Sequence, residues 1–146
     1  RRVAQAEGVT LVVENMYPWR AGGREFAAYL PSWDPCDRDY DALLLDVSHA
    51  ATAGVSCLEM AQRMGERLRH LHLTDGNGSP KDEHLLPGEG SQPVAELLAH
   101  LAATGWEGDA CVEVTTRTSR GPDERRAALA GALAFARQHL AAPAPS

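Results

Sequence analysis

Apolar runs and helical patterns alternate along this chain, and that order leaves few folds open. Four apolar, β-rich runs are predicted to be strands, at residues 9–14, 42–47, 68–73 and 109–115. Alternation of this kind indicates parallel strands that are joined by helical crossovers. The unbroken leucine run of the second strand is typical of a strand that is buried on both faces. The sequence therefore predicts an α/β fold with one parallel sheet.

The segments between the strands differ in how clearly they are marked. Helices are predicted at residues 1–6, 24–30, 56–67, 93–103 and 123–139. The clearest one has Ser56 as its N-cap, and Glu59 three residues later completes a capping box. The connection at residues 74–90 is rich in Gly and Pro and has no periodicity, and long loops of this kind usually serve function. Residues 141–146 are predicted to be a disordered tail.

Length and charge narrow the class of protein. The chain has 146 residues, 44% of them hydrophobic, which fits one folded domain with its own core. Twenty acidic residues against 14 basic ones give a net charge of −6, so binding to nucleic acid is disfavoured. Three cysteines outside any CxxC pair indicate free thiols in a reducing compartment. Without a run of about 18 apolar residues, the sequence predicts a cytoplasmic protein with no membrane span.

Each predicted strand carries a residue of metal-ligand type at or near its carboxyl end. These residues are Glu14, Asp46, His72 and Glu113. In parallel α/β folds the carboxyl ends of the strands face one crevice, so the four side chains are expected to meet. Carboxylate and imidazole are ligands that a divalent ion such as zinc or manganese accepts. Glu113 interrupts an apolar strand, and a buried carboxylate there would need a cation to offset its desolvation.

Five further polar residues lie near these strand ends. His49 comes three residues after Asp46, in the turn that is predicted to leave the second strand, and it is interpreted as a second ligand or a group that orients substrate. Asp82 and His84, one residue apart in the long loop, are predicted to join the site. His70 shares the face of His72 one layer deeper. His70 and Asp75 are therefore predicted to support the ligands without touching the ion.

Several short motifs of the chain resemble a known family. They are Leu-Val-Val-Glu-Asn at 11–15, Leu-Asp-Val-Ser-His-Ala at 45–50, His-Leu-His-Leu-Thr-Asp at 70–75, and Pro-Gly-Glu-Gly at 87–90, followed by Glu113. In this order and spacing they resemble the xylose isomerase-like, or AP endonuclease family 2, TIM barrels, which include ketose 3-epimerases and endonuclease IV. The resemblance implies that residues 1–140 form strands five to eight of a (β/α)8 barrel, its C-terminal half.

The resemblance also implies an activity. The implied activity is similar to that of isomerases and epimerases that act on sugars or sugar phosphates. These enzymes hold one divalent metal (Mn, Mg, Co or Zn) at positions matching Glu14, Asp46, His72 and Glu113. The glutamates matching Glu14 and Glu113 would move a proton next to the carbonyl through an enediolate. His49 matches a histidine that contacts the sugar, and Asp82 and His84 are assigned to substrate binding beside it.

Two alternatives stay open. The Asp82-Glu83-His84 segment also resembles the Asp-x-His of endonuclease IV, a zinc phosphodiesterase. Three zinc ions would then be held by Asp46, His49, His72, Asp82 and His84, with Glu14 and Glu113 bridging. The acidic balance argues against a DNA substrate. A barrel without catalysis is the third interpretation, because a fold does not dictate a function.

The length fits only part of such a barrel. A complete (β/α)8 barrel needs about 250 residues, and four strands leave two unpaired edges and an open apolar face. Either an N-terminal half-barrel is missing or a second copy completes the fold. The start at Arg1, without a methionine, favours the missing half.

Overall fold

The computed structural model describes residue 4 and residues 6–141. The strands are β1 (Val13–Glu14), β2 (Trp19–Ala21), β3 (Arg24–Phe26), β4 (Leu43–Asp46), β5 (Leu68–Leu73) and β6 (Asp109–Val112). The helices are α1 (Val47–Ala53), α2 (Cys57–Met64), α3 (Val94–Ala103) and α4 (Pro122–Leu140), with a 3-10 turn at Gly65–Arg67. Most of the helix predicted at 1–6 and of the tail predicted at 141–146 lies outside the described residues.

One parallel sheet organises the fold, as the sequence predicts. Its strand order is β1-β4-β5-β6, and every pairing in it is parallel. The inner strand β4 is buried along its whole length, which agrees with its leucine run. β1 and β6 are the outer strands of this sheet. The helices that connect the strands supply the other layer of an α/β fold.

The two faces of the sheet carry different chemistry. Its core face packs against the helices, and the largest fully buried side chains of this core are Leu43, Leu45, Met60, Met64, Leu68, Leu71, Leu73, Leu97 and Leu98. Side chains alternate along a strand, so His70 and His72 lie on the face opposite Leu71 and Leu73. Asp46 is paired in register with His72 across β4 and β5. This second face therefore collects polar side chains at the carboxyl ends of the strands.

Helix α1 starts directly after β4, where the sequence was interpreted as a turn. The Asp46 side chain caps the helix by accepting from the backbone N–H of His49 at 2.9 Å. The helix ends at Gly54, whose φ of 75° is favourable only for glycine. His49 is thus held on a helix, which fixes its position more firmly than a turn would.

The prediction of a helix at residues 24–30 is wrong. A β-hairpin occupies this region, and Trp19, Arg20 and Ala21 of β2 pair with Phe26, Glu25 and Arg24 of β3. Gly22 and Gly23 both have positive φ, at 58° and 74°, which is what a two-residue hairpin turn of the favoured hand requires. An ion pair of 2.9 Å between Arg20 and Glu25 crosses the hairpin.

Other predicted boundaries hold to different degrees. β5 has the predicted limits, and Ser56 caps α2 through the N–H of Glu59, as the capping box indicates. The outer strands are shorter than predicted, so Glu113 lies one residue beyond β6. The connection between β5 and α3 is irregular apart from one bridge between Asp75 and Leu85. Within the described residues, no helix combines the length and apolarity that a transmembrane span needs.

Candidate metal centre

The four predicted metal ligands lie together at the carboxyl end of the sheet. Their meeting point is the Nδ1 atom of His72. Glu14 Oε1 and Asp46 Oδ2 are each 3.3 Å from this nitrogen, and Glu113 Oε2 is 2.7 Å from it. Each of the four residues comes from a different strand or strand end, so the parallel sheet alone brings them together.

The spacing of Glu14, Asp46 and His72 fits one divalent cation, and Glu113 reaches this group through its contact with His72. Ligand atoms of Glu14, Asp46 and His72 all lie within 4.8 Å of one another. Bonds of about 2.0–2.2 Å from a metal to nitrogen and oxygen place neighbouring ligand atoms about 3 Å apart. Distances of 2.7–3.3 Å around His72 Nδ1 are of that size. The donor set of three carboxylates and one imidazole suits Mn, Mg, Co and Zn to different degrees.

The cluster favours a positive charge at its centre. Burial raises the pKa of Glu14, and the neighbouring carboxylates Asp46 and Glu113 raise it further, while His49 and His72 oppose this. The hydrogen bond with Asp46 raises the pKa of His72, against the effect of burial, and the charges of Glu113 and Glu14 act in the same direction. An imidazolium or a metal ion would offset the repulsion between the three carboxylates.

Glu113 is less enclosed than its place in an apolar run suggests. Its side chain is 47% exposed, so the expectation of a buried carboxylate is wrong for this chain. The reason is the position of β6 at the edge of the sheet, where Asp109, Ala110 and Cys111 are exposed as well. The carboxylate nevertheless makes the shortest contact with His72.

A second cluster lies beside the first and contains His49, Asp82 and His84. The Oδ2 atom of Asp82 is 3.1 Å from Nε2 of His49 and 2.9 Å from Nε2 of His84. The clusters are joined because His49 Nδ1 is 3.3 Å from Glu14 Oε1. Ligand atoms of Asp46, His49 and His84 also lie within 4.8 Å of one another. The site therefore extends from the four-residue centre into the long loop.

Charge pairing dominates the second cluster. Burial opposes ionisation of Asp82, but hydrogen bonds from His49, His84 and Ser48 bring its pKa well below the usual range. Burial likewise lowers the pKa of His49, yet the hydrogen bond with Asp82 and the charge of Asp46 raise it to about 9. The same Asp82 carboxylate raises the pKa of His84 to about 9. Both shifts have the same cause, because the Asp82 carboxylate lies between the two imidazoles and favours their protonated forms.

Asn15 is a site residue whose role the sequence did not reveal. Its fully buried side chain donates to the Asp46 carbonyl at 3.1 Å and accepts from the Asp46 N–H at 2.7 Å. Its own carbonyl lies 2.9 Å from His49 Nδ1. Asn15 therefore continues the pairing of β1 with β4 by one residue and fixes Asp46 in place. One sequence signal could have revealed it, because Asn15 directly follows Glu14, the predicted ligand at the end of β1.

Aromatic side chains border the site on the hairpin side. The ring of Tyr17 meets His49 edge to face at 5.1 Å, and Tyr17 in turn contacts Tyr29 at 6.3 Å. Trp19 lies 6.4 Å from Tyr29. Burial, followed by the charge of Asp82, raises the pKa of Tyr17. This aromatic edge was missed because the segment was interpreted as loop and helix.

His70 and Asp75, the predicted supporting residues, have different surroundings. The ring of His70 packs nearly perpendicular to that of His72 at 5.3 Å. Asp75 is fully buried, and its carboxylate accepts from the backbone N–H groups of Gly76, Gly88, Gly90 and Gln92 at 2.8–3.2 Å. Asp75 thus shapes the long loop, while His70 stands directly behind a predicted ligand.

The chain belongs to the xylose isomerase-like TIM barrel family, because the sequence pattern of that family matches residues 2–139. Two solved structures share the fold. A D-tagatose 3-epimerase-like protein superposes with a TM-score of 0.65 at 24% identity, covering 96% of this chain and 52% of that one. A xylose isomerase domain protein from Alicyclobacillus acidocaldarius superposes with a TM-score of 0.59 at 26% identity, over 92% of this chain and 54% of that one. The prediction of half a TIM barrel is confirmed.

The chain spans about half the length of the curated relatives that it matches over most of its own length. An uncharacterized protein of Mycobacterium tuberculosis is 44% identical over 154 residues, which cover 92% of this chain and 55% of that protein. A fructoselysine 3-epimerase of Shigella flexneri is 40% identical over 60 residues, covering 41% of this chain and 21% of that enzyme. The family therefore includes relatives that are named as epimerases.

Proposed function

We propose that the protein is a divalent-metal-dependent isomerase or epimerase that acts on a sugar or sugar phosphate. The observation that carries the proposal is the meeting of Glu14, Asp46 and Glu113 around His72 Nδ1 at 2.7–3.3 Å. This cluster lies at the carboxyl end of the strands, where TIM barrels place their active sites. The relative that is named a fructoselysine 3-epimerase supports the same reaction class.

Glu14, Asp46, His72 and Glu113 would hold the metal. When bound, a divalent cation supplies Lewis acidity that polarises a carbonyl and stabilises the negative charge of an enediolate. The four side chains then contribute placement, because they are fixed by β1, β4, β5 and the residue after β6. Asn15 and the α1 cap hold Asp46 from two further directions.

Glu14 and Glu113 are proposed to move the proton. They come from the two outer strands of the sheet, so they reach the centre from opposite edges. One carboxylate accepts the proton from the carbon next to the carbonyl, and the other returns a proton to the opposite face of that carbon. A general base works best with a pKa near the working pH, and burial shifts the pKa of Glu14 upward, toward that range.

His49, Asp82 and His84 are proposed to bind the sugar hydroxyl groups. Two imidazoles and a carboxylate supply the donors and acceptors that hydroxyl groups need. Tyr17, whose ring packs on His49, adds an aromatic surface to the same side. This side of the site would hold the part of the substrate that does not react.

The variant Glu113→Gln tests the proposal in the intact protein. Wild-type protein with Mn²⁺ is expected to exchange the proton next to the carbonyl of a ketose for solvent deuterium, as NMR would show with a panel of ketohexoses and ketose phosphates. Because general acid–base groups contribute about 10²–10⁴-fold, we expect Glu113→Gln to lower the exchange rate by at least about 100-fold.

Glu107→Gln is the matched control, since Glu107 is an exposed glutamate that precedes β6 at the opposite end of the sheet. It should exchange like wild type. Full exchange by Glu113→Gln would remove Glu113 from the mechanism. Absence of exchange by wild type with every substrate of the panel, in protein loaded with Mn²⁺, would contradict the proposed reaction.

A zinc phosphodiesterase of the endonuclease IV type is the second candidate. The cluster of Asp82, His49 and His84 next to Asp46 is the observation in its favour, because it offers further metal ligands. Three zinc ions per chain, together with cleavage of DNA at abasic sites, would support it over the lead proposal. Failure to bind any metal would favour the third candidate, a barrel without catalysis.

A further inference from the structure

One buried hydroxyl group ties the Asp82–His84 segment to helix α1. Ser48 is fully buried, and its Oγ donates to Asp82 Oδ1 at 2.5 Å. The same oxygen accepts from the backbone N–H groups of Glu83, at 3.1 Å, and His84, at 3.0 Å. Three hydrogen bonds use the donor and both acceptor positions of a serine hydroxyl.

The bond to Asp82 decides where that carboxylate points. Ser48 holds Oδ1, so the other oxygen, Oδ2, is directed between the two imidazoles of His49 and His84. Without this anchor the carboxylate would keep only the two contacts of Oδ2, because its terminal torsion has only a broad preference of its own. Ser48 therefore fixes the orientation of the carboxylate that lies between the two histidines.

The backbone of His84 is held just as firmly. Its φ of 48° lies in the left-handed region, which residues other than glycine adopt only uncommonly. The surroundings enforce it, because Thr115 N–H donates to the His84 carbonyl at 2.8 Å, while Nδ1 of His84 lies 3.2 Å from the carbonyl of Glu113. The segment thus bridges α1 and the chain that follows β6, where Glu113 lies.

We infer that Ser48 is a positioning residue that aligns His49, Asp82 and His84 for substrate binding. Its effect on substrate rests on the function proposed above, whereas its effect on the segment does not. None of the four residues that are proposed to hold the metal is Ser48 or belongs to the Asp82–His84 segment. Loss of the hydroxyl should therefore change substrate binding and leave metal affinity unchanged.

Ser48→Ala, with Thr52→Ala as its matched control, tests this inference in the intact protein. Thr52 is buried one turn later on α1, and its hydroxyl donates to the carbonyls of Ser48, at 2.9 Å, and Lys81, at 3.4 Å, without touching Asp82. In Ser48→Ala we expect amide exchange at Glu83 and His84 to quicken at least about tenfold and KM to rise about tenfold, the size of one lost hydrogen bond. The Kd for Mn²⁺ should stay within about twofold of wild type, and Thr52→Ala should keep the wild-type KM.

Equal KM values for Ser48→Ala and Thr52→Ala would overturn the inference, and so would an equal loss of Mn²⁺ affinity and substrate affinity in Ser48→Ala. Amide exchange requires no turnover, so it separates this inference from the proposed function. If the wild type shows no activity but amide exchange is faster in Ser48→Ala, only the proposed function is contradicted. If amide exchange in Ser48→Ala is unchanged, the role of Ser48 is contradicted. Should the alanine variant not fold, Ser48→Cys carries the same test, because a thiol is a weaker hydrogen-bond partner.

Discussion

Asp46 shows how one side chain can serve structure and chemistry together. Its Oδ1 atom caps α1 by accepting from the N–H of His49, and its Oδ2 atom lies 3.3 Å from His72. A capping side chain binds the N–H two or three residues later, so the spacing of Asp46 and His49 is the spacing of a cap. The cap therefore places one predicted metal ligand and one predicted substrate contact in a single step.

Asp75 carries the shape of the long loop. Both of its oxygens accept backbone N–H groups, and a Cβ at Gly90 would collide with the carboxylate, which explains the glycine there. Asp75→Asn replaces one oxygen with an amide donor that faces two N–H groups. Since each unsatisfied buried donor costs about 1–3 kcal/mol, we expect the free energy of unfolding to fall by about 2–4 kcal/mol in urea denaturation.

Asp109→Asn is the control for this substitution. Asp109 is exposed at the start of β6, so the change there should stay within about 0.5 kcal/mol. A loss in Asp75→Asn no larger than that of the control would show that the loop does not depend on this carboxylate.

Single residues differ in how far the sequence could reveal them. Glu14, Asp46, His72 and Glu113 could be predicted as a group because parallel strands bring their carboxyl ends together. Ser48 could not, since a serine next to a strand is common and its value depends on a loop that arrives 34 residues later. The exposure of Glu113 was wrongly predicted because it depends on the position of β6 in the sheet.

Among the elements, long periodic segments were predicted better than short ones. β5 and α2 were recognised by alternation and by a capping box, which are local signals. The seven-residue helix α1 is made of small and buried residues, so it shows too few turns to reveal a periodicity. The β2–β3 hairpin is not predicted because residues 24–30 have a helical pattern, whereas the hairpin depends on the positive φ of Gly22 and Gly23.

The long loop and helix α1 fit closely at Gly76. A Cβ at this position would lie 2.8 Å from the Cβ of Ala51 on α1. We therefore expect Gly76→Ala to push the loop away from the helix and to lower the free energy of unfolding by about 1–3 kcal/mol, the usual effect of overpacking. Urea denaturation of the single variant, and of a double variant that also carries Ala51→Gly, measures this contact.

The double variant is the sharper measurement, because Gly76→Ala should cost less than about 0.5 kcal/mol when Ala51 is already glycine. Gly131→Ala serves as the control, since Gly131 lies in α4 with open space around it, and helical Gly→Ala is neutral or stabilising. Equal costs of Gly76→Ala in both backgrounds would contradict close packing against Ala51.

The molecule as a whole presents its candidate centre across the full width of the sheet. Glu14 ends the first strand in the order, and Glu113 follows the last, with Asp46 and His72 between them. The centre is therefore complete only when all four strands are in register. The family match and the half-barrel superpositions agree with the alternation of strands and helices, which could be read from the sequence alone.

The central claim is that four strands build one site for a divalent cation. Calorimetric titration of the intact protein with Mn²⁺ tests it most directly, with His72→Ala and, as a control outside the site, His100→Ala on α3. We expect one Mn²⁺ per chain, unchanged by His100→Ala. Kd should rise at least about 100-fold in His72→Ala, since even groups behind a ligand are worth 10–100-fold. Binding of Mn²⁺ to His72→Ala with the wild-type Kd, or no binding to the wild type, would contradict the claim.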